Sequence, residues 1–270
     1  MKTRRMPFLF VAGALLFVTP TLISWLARSE QTPSRNEHMV MSVLWFQASA
    51  EMRALSYQAF NVAKMRIDQD FSANKTNRKK AIVVDIDETV LDNSPHMAKL
   101  IKENQVFPFA WTDWVNKAQA QPLPGAVEFL NYAVSKGYDV FYVSNRSAAT
   151  ELEGTLKNLK AKGFPQSGED QVLLMGDVSS KETRRQNIAT TYDIVLLMGD
   201  NLNDLAKIFE KKAIIDRFQE VDKLKNNFGN RFIVLPNPMY GEWEGAVYEY
   251  QRGLSDDQKD EKRRAALKSF

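Results

Sequence analysis

The segment Ala81–Val90, AIVVDIDETV, decides the fold of this chain. It opens with four apolar residues after Lys79 and Lys80, which is typical of a fully buried parallel strand. The strand ends in two acids, Asp85 and Asp87. Because ligands bind at the carboxyl edge of open α/β sheets, acids at that edge predict chemistry there. Asp-x-Asp pairs also occur in solvated loops, so the pair alone does not establish a site.

The composition limits the classes of protein that fit this chain. With 270 residues, 44% hydrophobic and 26% charged, it suits one large α/β domain with an insertion. Scattered charges and a net charge of +3 argue against a nucleic acid polymer as partner. Cysteine is absent, which excludes a disulfide framework, a thiolate metal site, a cysteine nucleophile and a lipidated cysteine.

The N-terminus has the pattern of a membrane-directed segment. Three basic residues precede Met6–Ala27, which is uncharged, and charge returns at Arg28. About 20 apolar residues cross the hydrocarbon layer, and the basic end stays in the cytoplasm. We therefore expect residues 1–28 to anchor an exported body that faces the periplasm or cell exterior. A cleaved signal, releasing a periplasmic or secreted protein, stays open as the alternative, and a polar linker follows at residues 29–37.

Apolar runs alternate with helical patterns along the rest of the chain. The predicted strands after the first are 139–143, 171–175, 194–198 and 232–236, and the predicted helices include 39–71, 124–137 and 151–162. This alternation predicts an α/β fold, a central parallel five-stranded sheet flanked by helices. The second and fourth strands also end in polar residues, Ser144-Asn145-Arg146 and Gly199-Asp200. Hydroxyl and backbone donors at such a strand end can cradle phosphate, although Ser144 could equally cap a helix.

A long segment separates the first strand from the helix that begins near Pro124. It contains a turn, Leu91–His96, and an aromatic patch between Phe107 and Trp114. Because it exceeds an ordinary strand-to-helix loop, we expect it to cover the sheet edge. The predicted domain spans residues 38–253, with a small cap formed by residues 38–75 and 92–123, and a charged tail follows at residues 254–270.

Four motifs in this order resemble those of the haloacid dehalogenase-like superfamily, which has a Rossmann-like fold. They are Asp85-Ile86-Asp87-Glu88-Thr89, Ser144-Asn145-Arg146, Lys181 and Gly199-Asp200-Asn201-Leu202-Asn203-Asp204. The chain resembles more closely the bacterial class C acid phosphatases, the family of outer-membrane lipoprotein acid phosphatases. That likeness rests on DIDETVLDNSP (85–95), WTDW (111–114), PGAVEF (124–129) and LPNPMYGEWEG (235–245). The chain departs from that family in lacking the lipobox cysteine and in having His96 where an aromatic residue is usual.

The resemblance implies a mechanism for hydrolysing phosphomonoesters. Asp85 would attack phosphorus and form an aspartyl phosphate. Asp87 would protonate the leaving alkoxide and then activate water against that intermediate. Mg²⁺ would be held by Asp85, Asp200 and the backbone carbonyl of Asp87, with Asp204 supporting the site without touching the metal.

The resemblance also implies how substrate is held. Ser144, Asn145 and Lys181 would bind the transferring phosphoryl oxygens. Trp111 and Tyr240 would flank the leaving group, with Asn93 and His96 beside them; His96 could either weaken one wall or add a donor. Nucleoside 5′-monophosphates, nicotinamide mononucleotide included, are the expected substrates, because planar bases stack on aromatic rings. A homodimer is a further expectation.

Two other functions stay open at this stage. One is a catalytically weak surface phosphate-binding or adhesion protein on the same fold, against which the intact Asp85 and Asp87 pair argues. The other is a different reaction of the superfamily, such as phosphoryl transfer to another acceptor or dehalogenation. Dehalogenases of the superfamily lack the second acid, so Asp87 argues against dehalogenation.

Overall fold

The structure is a computed structural model that describes residues 35–73 and 78–270. The predicted anchor, residues 1–28, and most of the predicted linker lie outside the described residues. Within the described ranges, no helix is both long enough and apolar enough to cross a membrane.

The secondary structure follows the predicted alternation. The helices are α1 (Val40–Ala48), α2 (Ala50–Ala73), α3 (Ser94–Lys102), α4 (Trp111–Lys117), α5 (Ala126–Ser135), α6 (Leu152–Ala161), α7 (Glu182–Thr191), α8 (Ile214–Lys223), α9 (Glu242–Val247) and α10 (Asp256–Ala266). The strands are β1 (Lys79–Val84), β2 (Leu91–Asp92), β3 (Gln121–Pro122), β4 (Tyr138–Ser147), β5 (Val172–Met175), β6 (Tyr192–Gly199) and β7 (Phe232–Val234).

Five strands form one parallel sheet in the order β5-β4-β1-β6-β7. The prediction of an α/β fold with a five-stranded parallel sheet is confirmed. Strand β1 lies in the centre because its apolar residues are buried on both faces. Ile82 and Val84 pack into the larger hydrophobic cluster, whereas Ala81 and Val83 pack into a second cluster on the opposite face. Because successive side chains of a strand point to opposite faces of the sheet, β1 contributes residues to both hydrophobic clusters.

Two elements differ from the predicted ones. The predicted helix 39–71 is two helices, because Ser49 adopts an extended backbone conformation, with φ −83° and ψ 138°. The Ser49 hydroxyl then accepts a hydrogen bond from the Met52 N–H at 3.0 Å, which caps the start of α2. The predicted strand 139–143 extends to Ser147, so Ser144, Asn145 and Arg146 lie within β4 and not in a loop before a helix.

The insertion after β1 covers the carboxyl edge of the sheet. Strands β2 and β3 pair antiparallel within it, and helices α3 and α4 lie between them in sequence. Helix α2 packs beside α5 and the sheet through the apolar residues Phe60 and Phe129, whose ring centroids are 5.7 Å apart. The predicted tail forms α10, whose Asp256 Oδ2 accepts a hydrogen bond from Arg35 Nε at 2.6 Å.

Candidate active site

The sheet register aligns the end of β1 with positions in its two neighbouring strands. Val84, the last residue of β1, lies opposite Tyr142 of β4 and Met198 of β6. The Asp85 N–H then donates to the Met198 carbonyl at 2.9 Å. Residues that follow these positions, among them Asp85, Ser144 and Asp200, therefore meet at one edge of the sheet, as their positions after predicted strands indicated.

Three carboxylates form a compact cluster at this edge. Asp85, Asp200 and Asp204 each have a carboxylate oxygen within 4.8 Å of the others' oxygens. The Lys181 ammonium, at the start of α7, pairs with Asp85 and with Asp204, the latter at 2.5 Å. An all-oxygen donor set with excess negative charge is the kind that hard divalent cations prefer. The residues present therefore fit a metal ion.

Burial and charge shift the protonation of this cluster. Burial raises the pKa of Asp85 well above its usual range, an effect that the Lys181 ammonium opposes. Burial and then the Asp204 carboxylate raise the pKa of Asp200 to about 7. Burial tends to lower the pKa of Lys181, but Asp204 and Asp85 outweigh it and raise that pKa overall. The cluster combines three carboxyl groups with one ammonium, so a bound cation would stabilise the ionised carboxylates.

Two neutral residues that were not predicted for the site hold the carboxylates in place. The Thr89 hydroxyl lies 3.4 Å from Asp85 Oδ2 and 3.3 Å from Asp200 Oδ1, and it accepts the Asp200 N–H at 3.0 Å. The Asn237 amide donates to Asp200 Oδ2 at 2.8 Å. Asn237 follows the last sheet strand, so its place at a strand end was the available signal.

The Asp87 carboxylate has a separate set of partners. Its Oδ1 accepts hydrogen bonds from Arg146 Nε at 2.9 Å and from the Asn93 amide at 2.8 Å, and it forms an ion pair with Arg146 Nη2 at 2.8 Å. Its Oδ2 accepts from the Ser144 hydroxyl at 3.0 Å. Arg146 belongs to one of the motifs, but its role was not predicted from the sequence because its partner lies 59 positions away.

The predicted phosphate-binding residues differ in their exposure. Ser144 is fully buried, and its hydroxyl points to Asp87. Asn145 is exposed, and its side-chain oxygen accepts from Arg184 Nη2 at 2.6 Å. Lys181 and Asn145 line the same cavity as Asp85 and Asp87. The structure therefore brings these residues together, while their contacts to phosphate stay predictions.

A cavity of about 680 Å³ opens over this edge of the sheet. All four residues predicted to contact the leaving group line it: Asn93, His96, Trp111 and Tyr240. The Trp111 ring lies 5.8 Å from Phe107 and faces the Arg146 guanidinium at 5.7 Å. The tail also lines the cavity through Asp256, Lys259 and Arg263, which the prediction of a separate charged tail did not include.

The hydrogen bonding of His96 shows which chemistry its ring can offer. Its Nε2 lies 2.9 Å from the Phe109 carbonyl oxygen, which can only accept, so Nε2 carries the proton. Burial lowers the pKa of His96, which favours the neutral ring and leaves Nδ1 as an acceptor. The ring also meets Trp111 edge to face at 5.1 Å. His96 therefore supports Trp111 and uses its N–H within the cap.

Asn93 connects the cap to the catalytic acids. Its side-chain oxygen accepts from Trp114 Nε1 at 2.8 Å, and its amide donates to Asp87. Its backbone N–H donates to Glu88 Oε1 at 2.7 Å. With 1% exposure, Asn93 is largely committed to these partners.

Comparison with known proteins identifies the family of this chain. Residues 23–243 match the family described as HAD superfamily, subfamily IIIB (Acid phosphatase). The chain belongs to this acid phosphatase family. It is similar to the class C acid phosphatase from Bacillus anthracis, with 46% identity and a TM-score of 0.85, covering 88% of this chain and 99% of that one. A tungstate-bound structure of the Bacillus anthracis enzyme matches with 46% identity, a TM-score of 0.84 and coverages of 87% and 98%.

A curated relative is more distant. The stem 31 kDa glycoprotein of Glycine max is 26% identical over 202 residues, which are 72% of this chain and 69% of that protein. The family and structural matches confirm the predicted haloacid dehalogenase-like fold and the class C resemblance. This acid phosphatase is thus a hydrolase of phosphoric monoesters. Acid phosphatases of this superfamily use a divalent metal, and the carboxylate cluster fits one.

Proposed function

We propose that this acid phosphatase hydrolyses nucleoside 5′-monophosphates and related aromatic phosphomonoesters with Mg²⁺, through an aspartyl phosphate on Asp85. The observation that supports this most is the pairing of Asp85 with Lys181 inside the carboxylate cluster, below a cavity lined by Trp111 and Tyr240. The site thus combines a nucleophile, a cation for the phosphoryl group and aromatic walls for a planar leaving group.

The first step is attack by an Asp85 carboxylate oxygen on phosphorus. A new P–O bond forms to Asp85 while the ester P–O bond breaks, and Asp87 gives its proton to the leaving oxygen. Lys181 and Asn145 stabilise the charge on the transferring oxygens. The Ser144 hydroxyl donates to Asp87 Oδ2, so its contribution to phosphate binding depends on that hydroxyl turning away from the carboxylate.

The second step releases phosphate. Asp87, now ionised, takes a proton from water, whose oxygen attacks phosphorus and breaks the bond to Asp85. This restores Asp87 to its acid form and Asp85 to a carboxylate. The same side chain thus serves as acid and then as base, so its geometry relative to Asp85 matters in both steps.

Mg²⁺ is the metal that we propose for the carboxylate cluster. Asp85, Asp200 and the Asp87 backbone carbonyl would hold it, and Asp204 would orient Lys181 beside it. When bound, Mg²⁺ supplies positive charge that offsets repulsion between a phosphate dianion and the acids. The Bacillus anthracis relative has a structure with tungstate bound, which supports oxyanion binding here because tungstate and phosphate are both oxyanions.

The leaving group would occupy the space between Trp111 and Tyr240. A base stacked on such rings gains about 1–3 kcal/mol per contact with little dependence on which base it is. We therefore propose a broad preference among nucleotides, nicotinamide mononucleotide included, over aliphatic phosphates.

The N-terminal segment would place this activity outside the cytoplasm. We propose that residues 1–28 anchor the enzyme in the cell membrane, with the body facing the periplasm or cell exterior. A cleaved signal would give a periplasmic or secreted enzyme instead, and a homodimer is compatible with either arrangement.

A comparison of two substrates in two variants tests the substrate class. We expect Trp111→Ala to lower kcat/KM for adenosine monophosphate about tenfold or more, and that for glycerol phosphate much less, because only the base stacks. Phe109→Ala is the matched control, since Phe109 is a 42% exposed cap aromatic outside the cavity lining. An equal loss for both substrates in Trp111→Ala would make Trp111 a packing residue and remove the stacking proposal.

A further inference from the structure

Arg146 is a charged side chain buried beneath the catalytic edge of the sheet. It is 1% exposed, although it lies near the carboxyl end of β4. Its guanidinium donates to Asp87 Oδ1 through Nε, to Thr155 Oγ1 at 3.1 Å and to Asn93 Oδ1 at 3.4 Å, and its Nη2 also lies 2.8 Å from Asp87 Oδ1 as an ion pair. Burying a guanidinium is costly unless its donors are paired, and here they are.

The two Asp87 carboxylate oxygens have different hydrogen-bond partners. Oδ1 accepts hydrogen bonds from Arg146 Nε and from the Asn93 amide, and it is the oxygen that pairs with the charge of Arg146 Nη2. Oδ2 accepts only from the Ser144 hydroxyl among its described partners, and that hydroxyl can rotate. Charge-assisted hydrogen bonds favour the unprotonated oxygen, so a proton on Asp87 goes to Oδ2.

We infer that Arg146 is a positioning residue that fixes the Asp87 carboxyl and makes Oδ2 the oxygen that exchanges the proton with the leaving group and water. This inference rests on the proposed role of Asp87. It extends that role to a residue that touches neither phosphorus nor the leaving group.

The cap takes part in the same arrangement. The guanidinium carbon lies 5.7 Å from the Trp111 ring centre, and Asn93 links Asp87 to Trp114. A leaving group bound against Trp111 therefore lies beside the residue that orients its proton donor. Arg146 connects leaving-group binding with proton transfer through direct contacts.

A leaving-group comparison separates this role from a general structural one. Phenolate is a poorer leaving group than 4-nitrophenolate and depends more on proton donation. Arg146→Lys keeps a charge but lacks the planar guanidinium whose nitrogens bond Asp87, Thr155 and Asn93 together. We expect it to lower kcat for phenyl phosphate about 10–100-fold, and that for 4-nitrophenyl phosphate about threefold or less. The ratio of the two kcat values does not depend on how much of the protein is folded.

Three further variants complete the experiment. Thr155→Val removes an Arg146 partner that does not touch Asp87 and should leave the ratio unchanged. Asp87→Asn should show the same sensitivity to leaving group, and adding Arg146→Lys to it should not increase the ratio further. If Asp87→Asn shows no such sensitivity, the proposed role of Asp87 fails first. If Asp87→Asn shows it and Arg146→Lys does not, or if Arg146→Lys fails to fold, Arg146 is structural and the inference is overturned.

Discussion

At the scale of single residues, Asp85 is buried and is surrounded by other charged side chains. It is 6% exposed, pairs with Lys181 and lies beside Asp200 and Asp204. An amide in its place would keep the size of the side chain and leave Lys181 paired with Asp204, but it cannot bond to phosphorus as a carboxylate does.

We therefore expect Asp85→Asn to lower kcat by about four orders of magnitude or more while the protein stays folded. Steady-state kinetics and far-ultraviolet circular dichroism measure the two effects. Asp113→Asn, an exposed acid on α4, is the matched control and should keep normal turnover. Hydrolysis near the normal rate in Asp85→Asn would contradict the nucleophile assignment.

The Asp200 carboxyl predicts how pH acts on the metal-free protein. Its folded-state pKa is raised to about 7 by burial and then by Asp204, against about 3.9 in unfolded chains. Between these values the folded state binds more protons than the unfolded state, so the free energy of unfolding falls as pH rises.

We expect the melting temperature of the metal-free enzyme to drop by several degrees between about pH 4 and about pH 7 through this contribution. Mg²⁺ added at pH 7 should raise the melting temperature again, because the cation binds the folded state.

Removal of the metal should also affect activity: a chelator should stop hydrolysis, and added Mg²⁺ should restore hydrolysis. The Asp200→Asn variant should show a smaller drop with pH, and full hydrolysis in excess chelator would contradict a metal-dependent mechanism.

At the scale of elements, the last residue of β6, Gly199, brings the backbone close to the carboxylate cluster. A Cβ built on Gly199 would lie 2.4 Å from both Cβ and Oδ2 of Asp204. Asp204 is held there by the Asn201 N–H, which donates to its Oδ2 at 3.0 Å, and by Lys181. Glycine at this strand end therefore allows the close approach of Asp204.

We expect Gly199→Ala to displace Asp204, lower kcat/KM about tenfold or more and destabilise the fold by about 1–3 kcal/mol. Gly176, the residue directly after β5, has no neighbouring atom within 4 Å of a built Cβ. Gly176→Ala should therefore be close to normal in activity and stability. Activity assays and urea unfolding compare the two variants, and equal behaviour would show that the strand end tolerates a side chain.

At the scale of the whole molecule, distant parts of the chain enclose one cavity. Its wall includes Arg35 and Met39 before the sheet, Trp111 in the insertion and Arg263 in the tail. Arg263 Nη1 donates to the Tyr248 hydroxyl at 2.8 Å, which holds α10 against the domain. The prediction of a domain ending at residue 253 remains a prediction, but residues beyond it take part in the cavity.

The N-terminal segment predicts where the whole enzyme works. We expect the full-length protein to fractionate with membranes and to expose its body outside the cytoplasm, because Met6–Ala27 is uncharged and follows basic residues. In cells whose outer envelope has been made permeable while the cell membrane stays intact, added protease should digest the body of the enzyme. Mass spectrometry that finds a mature chain starting near Arg28 would show that the segment is a cleaved signal.

The amino-acid sequence by itself determined the parallel sheet and the edge at which Asp85 and Asp200 meet. A strand buried on both faces must be continuously apolar, and its first polar residue then marks the carboxyl end, so both features are local. The tertiary structure decided the partner of Arg146, the place of α10 in the cavity wall and the orientation of His96. These depend on contacts between segments far apart in the chain, such as Arg35 with Asp256, whose pairing no local pattern encodes.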